Sequence, residues 1–196
     1  DRAMAPASKG GGSRAPDWSS AERVRDRAED REEPREARRT GVGLLGEYWK
    51  FVDLEIYSFP VVEGKEPSVR RIDPRVEFRE WNDFNLPFQP RNIAMRWRGF
   101  VWAEEEGLYT FILGSDDGGT LSIDGTPLVD LPGLHPYVER AGEVHLAPGF
   151  HTVEVRVFQN EGGVGAVLAW IPPVGEPGAV PTDVLYPPDS VPPAGA

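Results

Sequence analysis

The 196-residue sequence has no cysteine, so it can build neither a disulfide framework nor a thiolate metal site. That absence suits a secreted bacterial domain and a cytosolic protein alike. No apolar run approaches the roughly 18 residues that a membrane-spanning helix needs, so no membrane insertion is expected in this stretch of chain. No secretory leader is visible, and the first residue is Asp1 rather than Met. The expectation is a piece cut from a longer precursor. His135, His145 and His151 are the only histidines, and no two stand at ligand spacing, which argues against zinc. Nucleophile-elbow and Gly-rich phosphate motifs are both missing.

Positive charge is scarce where it would matter for nucleic acid. Of 21 Lys+Arg and 32 Asp+Glu, residues 1–40 hold 10 and 9, which leaves 11 and 23, a balance of −12, for residues 41–196. An acidic folded part repels phosphate backbones, so nucleic acid is excluded as a partner. The acidity itself fits cation binding or plain solubility.

What the chain has in quantity is turn formers, 22 Gly and 20 Pro, beside 39% hydrophobic and 10% aromatic residues. Residues 1–17 are Gly, Ser, Ala and Pro with scattered charge and read as disordered linker. The stretch "SSAERVRDRAEDREEPREARR" spaces Ser19 and Glu22 as a capping box. Val24 is its single bulky apolar residue, so a short exposed helix there would have no face to dock. Residues 1–40 are thus expected to be a charged spacer, disordered or partly helical, ahead of a domain at 41–188 and a tail at 189–196.

From Gly41 the period becomes two. In "IAMRWRGFVW", Ile93, Met95 and Trp97 alternate with Ala94, Arg96 and Arg98, and in "HTVEVRVF", Val153, Val155 and Val157 alternate with Thr152, Glu154 and Arg156. One face is apolar and the other wet, the pattern of antiparallel strands. "LYTFIL" is apolar on both faces and reads as a central, covered strand. Asp124-Gly125 suits a tight hairpin, and "APGF" and Gly162-Gly163 supply further breaks. The fold expected is an all-β antiparallel sandwich. Asp116-Asp117 falls between two such runs, at what reads as a hairpin tip. A solvated turn and a cation site are both open there, since Asp and Gly are what turns use anyway.

The blocks "GLLGEYW", "MRWRGFVWAEEEGLYTFILGSDDGGTLSIDGTPLVD" and "GEVHLAPGFHTVEVRVFQNEGGVGAVLAW" closely resemble the PA14 domain, with "VPTDVLYP" as the closing segment. This β-sandwich module is named after anthrax protective antigen and occurs in bacterial adhesins, glycosidases, glycosyltransferases and yeast flocculins. The resemblance runs from about Leu44 to Tyr186.

The resemblance implies that Asp116 and Asp117 are joined by a cis peptide and hold one calcium ion. A cis link would bring both carboxylates to the same side of the chain, with Gly118 and Gly119 granting the turn its backbone freedom. Calcium takes six to eight oxygens. The family supplies more from the loop after the penultimate strand, here "FQNEGGVG": Asn160 through its side chain, Gly162 and Val164 through their carbonyls. Gln159 is the substitute if the register is one residue off. The function implied is calcium-dependent carbohydrate binding by an adhesin-like module, extracellular or on a bacterial cell surface, with a glycan as partner. Alternatives are a non-lectin interaction or spacer module docking on neighbouring domains of a longer chain, and an accessory glycan-binding module of an enzyme.

Trp81, Phe84, His135 and Tyr137 lie in loop-like stretches and are candidates to line a sugar site, with His135 and Tyr137 the ones retained. For "EFREWNDF" the plainer expectation is core and cover. His145 and His151 are expected as surface residues on the polar faces of neighbouring strands. Glu104, Glu105 and Glu106 read as a solvated turn. A glycosidase needs two carboxylates at least about 5 Å apart, and a pair sharing one ion cannot serve. No enzymatic activity is expected of this stretch.

Overall fold

A computed structural model describes residues 40–190. The spacer expected at 1–40 lies, apart from Thr40, outside the described residues, as does the tail beyond Ser190. The rest is two antiparallel sheets packed face to face. Sheet A runs in the order β2 (Val69–Asp73), β1 (Leu44–Lys50), β4 (Ile93–Ala103), β9 (Gly149–Gln159), β6 (Gly119–Ile123), β7 (Thr126–Leu131), with β12 (Leu185–Tyr186) also on β4. Sheet B runs β11 (Gly178–Ala179), β10 (Gly165–Ile171), β5 (Gly107–Asp116), β8 (Val138–Leu146), with β3 (Glu77–Phe78) also on β10.

The alternating strands sit as their sequences require. Ile93, Met95 and Trp97 of β4 and Val155 and Val157 of β9 are fully buried between the sheets, facing Phe111 and Leu113 of β5. β5 is central, between β10 and β8, yet it is covered on one face alone: Leu108 is 51% exposed on the other. The "EFREWNDF" stretch packs. Phe78 and Phe84 stack at 4.4 Å between ring centroids, and Trp81, in the four-residue helix α1 (Trp81–Phe84), leans on Phe84 and Phe88. Phe84, fully buried, is therefore not available as a sugar platform, and Trp81 is half-buried against the core. Asp124 and Gly125 both take positive φ, 49° and 72°, which is the primed turn that matches strand twist in the β6–β7 hairpin.

Consecutive strands often lie in different sheets. β5 and β6 do not form a hairpin; the chain leaves sheet B at Asp116 and enters sheet A at Gly119. The chain crosses again between β7 and β8, over residues 132–137, and between β9 and β10, over residues 160–164. His145 and His151 accordingly stand on neighbouring strands in sequence but in opposite sheets. His151 is held by Asp124 Oδ2 at 2.6 Å and the Ala147 carbonyl at 2.8 Å.

Two buried carboxylates tie β1 and β2 into sheet A. On the core side, Asp73 accepts from Tyr48 Oη, from Trp97 Nε1 at 2.8 Å and from Arg71 Nε at 2.7 Å. Gly46 leaves room for it, because a Cβ there would stand 2.1 Å from Asp73 Oδ2. On the outer side, Glu47 is 1% exposed and accepts from Arg70, Arg96 and Arg98 at 2.7–3.1 Å. Burial alone would raise the Glu47 carboxyl above its ordinary 4.5, but Arg98 and Arg96 outweigh it and hold it below. Beyond them, Trp49, Val62 and Ala94 form a small second core under the chain at 51–68.

Removing Asp73 takes the acceptor from the buried Trp97 indole N–H and Tyr48 phenol and from the half-buried Arg71 together. Asp73→Ala is expected to cost about 3–5 kcal/mol in denaturant unfolding, the range for breaking one side of a buried ion pair. Glu47 generates a pH dependence of definite sign. A carboxyl held low in the fold stabilises it above its ordinary pKa, and loses that contribution as pH falls through the folded value. The stability gap between the wild type and Glu47→Gln is expected to be widest at neutral pH and to close at pH values below the ordinary 4.5, as read by thermal melts across pH.

Candidate functional site

Three of the sheet crossings, at 116–119, 132–137 and 160–164, lie at one end of the sandwich. The register requires it: Asp116 pairs with Gly165, Ser115 with Val138, and Gly119 with both Leu131 and Val157. Each crossing carries residues singled out from the sequence, so the topology gathers them onto one rim.

Asp117 is the tie. Its backbone N–H donates to the Phe158 carbonyl at 3.2 Å, and its carboxylate accepts from two backbone N–H groups, His135 at 3.2 Å on Oδ1 and Asn160 at 2.8 Å on Oδ2. One side chain, 6% exposed, thereby fixes the second and third crossings to the first. The Asp116-Asp117 peptide is cis.

Asp116 is more open. Burial and then the charge of Asp117 push its carboxyl above the ordinary 3.8, with the charge of His135 and the Tyr137 backbone N–H acting the other way. Its Oδ2 would stand 2.8 Å from a Cβ at position 163. Gly163 is thus required by the approach of a carboxylate. Gly118 and Gly119 are required for space as well, not for backbone freedom as the sequence suggested, since neither has a left-handed φ. A Cβ on Gly118 would meet the Phe158 ring at 2.4 Å.

Asn160 is bonded on three sides. Its N–H reaches Asp117, its carbonyl accepts from Asn92 N–H at 2.8 Å, and its Nδ2 donates to the Ile56 carbonyl at 3.0 Å. With Nδ2 so engaged, Oδ1 carries no protein bond among the described residues, and it is a free oxygen donor. Gly162 has φ 95°, and Val164 is buried at 8% exposure. Gln159 turns the other way: it is wholly buried in the sandwich, its amide oxygen and nitrogen both without a partner among the described residues. It does not reach a surface ligand, because one residue of register on a strand reverses the face.

Tyr137 lies flat on a glycine shelf. A Cβ on Gly114 would strike its hydroxyl at 2.0 Å, and one on Gly165 would stand 2.9 Å from its ring. The ring is 38% exposed beside Asp116. Burial and the hydrogen bond to Glu139 push its hydroxyl up to about 12. His135 bonds through Nδ1 to the Pro136 carbonyl at 2.9 Å, so Nδ1 carries the proton. Its Nε2 is buried without a partner among the described residues.

Sequence reasoning missed the wall at 51–57 and Asn92. Asn92, 6% exposed with φ 51°, accepts from Ile56 N–H at 3.3 Å and so joins that wall to Asn160. The signal available was an asparagine before a strand, where left-handed φ is tolerated. Among the described residues no three His, Cys, Asp or Glu side chains cluster as a metal cage. Any cation here must draw on amide and carbonyl oxygens beside the carboxylate pair.

A carboxylate held above its ordinary pKa by burial and a neighbouring charge disfavours the metal-free fold. Asp116→Asn is expected to melt a few degrees higher than the wild type in EDTA at neutral pH. An equal or lower melting temperature would mean that the Asp116 charge is not strained.

The PA14 domain profile matches residues 43–183. The anti-sigma-I factor RsgI3 of Acetivibrio thermocellus is 29% identical over 154 residues, 76% of this chain and 22% of that protein. The chain therefore spans less than a quarter of the curated relative it matches. A solved anti-sigma factor domain-containing protein is 27% identical, with TM-score 0.64 over 78% of this chain and 50% of its own. The PA14 sugar-binding domain of an RTX adhesin, at 17% identity and TM-score 0.63, shares the fold over 74% of this chain and 98% of its own.

Proposed function

Because the chain belongs to the PA14 domain family, we propose that it is a non-catalytic, calcium-dependent carbohydrate-binding module working outside the cell or at its surface. The observation that carries the reading is the convergence of three sheet crossings on Asp116, Asp117 and Asn160.

The donors on that rim fit a hard cation. All are oxygens: the open carboxylate of Asp116, the lone pairs that Asp117 keeps after its two N–H bonds, the bare Oδ1 of Asn160, and the carbonyls of Gly162 and Val164. Calcium favours such a mix of carboxylate, amide and carbonyl oxygen and tolerates irregular geometry. The like charges of Asp116 and Asp117 supply the attraction, and Gly163 lets the Asp116 carboxylate close in. A calcium ion bound there would supply open coordination positions for two adjacent hydroxyls of a sugar.

This chain's own residues would then do the selecting. Tyr137, held flat by its glycine shelf, offers an aromatic face to the apolar side of a sugar ring. His135 lies near enough for its charge to act on the Asp116 carboxyl. Across the rim stands Tyr57, 58% exposed, on the wall that Asn92 and Asn160 hold.

The similarity to two anti-sigma factors favours a second reading of the same binding event, in which the module is the recognising part of a longer regulatory chain rather than of an adhesin. Calcium-dependent glycan binding is common to both.

If the ion binds with a dissociation constant on the order of 10⁻⁴ M, about 10 mM calcium adds about 2.7 kcal/mol. For a domain of this size that raises the melting temperature by about 5–10 °C. EDTA is expected to reverse the rise, and Asp117→Asn to abolish it. A calcium-dependent signal on a glycan array tests the second step. No thermal shift would remove the ion; a shift with a blank array would leave the ion and remove the sugar.

A further inference from the structure

The geometry points to a second ligand site, independent of the ion rim, in a groove on the outer face of sheet A that takes a carboxylate-bearing sugar unit. The groove has a volume of about 380 Å³ and is lined by Arg98, Phe100, Ser122, Thr152, Glu154 and Pro188. That lies within the range of small-ligand sites. It is also well separated from the rim. Arg98 stands five residues along β4 from Ile93, which is about 17 Å at the rise of a strand.

The strand register builds a row of arginines on this face. Arg70, Glu47, Arg96 and Arg156 are successive cross-strand partners on β2, β1, β4 and β9, and the next row pairs Arg98 with Glu154 and Glu154 with Ser122. Four arginines here meet Glu47 and Glu154, with exposed Glu63 a looser contact 3.9 Å from Arg156. A local positive surplus stands on a folded part whose own balance is −12.

The arginines are not equally occupied. Arg96 spends Nε and one terminal nitrogen on Glu47 and lies over the Trp49 ring. Arg98 gives Glu47 its Nε alone, at 3.1 Å. Its two terminal nitrogens have no partner among the described residues, and the side chain is 39% exposed at the groove. Glu47 thus orients a guanidinium whose outer donors stay free, and such donors match the two oxygens of a carboxylate.

The rest of the groove narrows the ligand. Glu154 gives one oxygen to Arg156 Nε at 2.7 Å and keeps the other as an acceptor for hydroxyls. Ser122 adds a hydroxyl, and Phe100, packed edge-on against Phe150 at 6.3 Å, adds an aromatic wall. One fork of donors, an acceptor, a hydroxyl and a ring face together suit a sugar carrying a single negative group. The Glu154 charge in the same groove disfavours phosphorylated chains, whose monoester groups carry about −1.5 to −2 charge at neutral pH. An acidic peptide such as triglutamate would use the arginine but leave the ring without a counterpart.

The whole chain in EDTA, titrated with a galacturonic acid trimer and followed by calorimetry and backbone amide NMR, tests the site. Comparators are the same trimer methyl-esterified and a triglutamate peptide. The acid trimer is expected to bind at least tenfold more tightly than either, with shifted amides at Gly99, Ser122, Gly125 and Thr152. Arg98→Gln is expected to weaken it at least tenfold; Glu47 keeps Arg96 and Arg70, so the melting temperature reports whether the fold is intact. Ser122→Trp fills the groove while leaving every arginine of the chain in place, and is expected to abolish binding. The site is overturned if the acid trimer fails to bind, if the ester binds as well, or if both variants bind like the wild type. Shifts centred on Gly118 and Gly163 would also overturn it, and triglutamate binding as tightly would make it a peptide site.

Discussion

The candidate rim depends on the Asp117 carboxylate accepting two backbone N–H groups from two other crossings. Loops joining different sheets share no ladder of hydrogen bonds, and their relative positions must be fixed by something else. A buried ionised acceptor suits the task, because charge-assisted bonds to N–H groups are short and strong, and leaving such a carboxylate unpaired is costly. Asn160 and Asn92 extend the tie to the wall at 51–57. One carboxylate and two amides thereby hold four separate chain segments.

The two adjacent aspartates consequently divide the work. Asp117 is structural first, with both oxygens already bonded once. Asp116 is the one strained, by burial first and by its neighbour's charge second. Adjacent acids at an ordinary turn would splay into water. Here the second is locked by its bonds, and Gly163 makes space for the first.

Much of this was legible in the sequence. Period-two alternation set β4 and β9 in place, and Asp124-Gly125 marked its hairpin. The acidic pair stood out between two apolar runs, but its role and that of Asn160 were legible only through the resemblance to the PA14 domain. What escaped was sheet membership. Asp116-Asp117 read as a hairpin tip because apolar runs flank it, yet nothing local tells whether successive strands pair or part. The partners of Asp73 and Glu47 escaped for the same reason, since each bond joins residues more than 20 positions apart except that from Arg71 to Asp73. Gln159 and Asn160 differ by one residue and face opposite ways, and only the strand register separates them.

The distribution of cations makes the rim distinctive. Asp73 has Arg71, and Glu47 has three arginines. Asp117 has two backbone N–H groups. Asp116, partly buried, has no arginine or lysine within ion-pair distance among the described residues. The fold thus pairs Asp73 and Glu47 with arginines and leaves Asp116 with no such partner, although arginines are plentiful on sheet A. Net charge does not explain this, because a diffuse excess of −12 is screened by salt over about 10 Å. A placed, partly desolvated carboxylate beside a second one is screened far less. The negative charge at this rim is therefore set by the adjacent carboxylates at the sheet crossing, and not by the acidity of the chain.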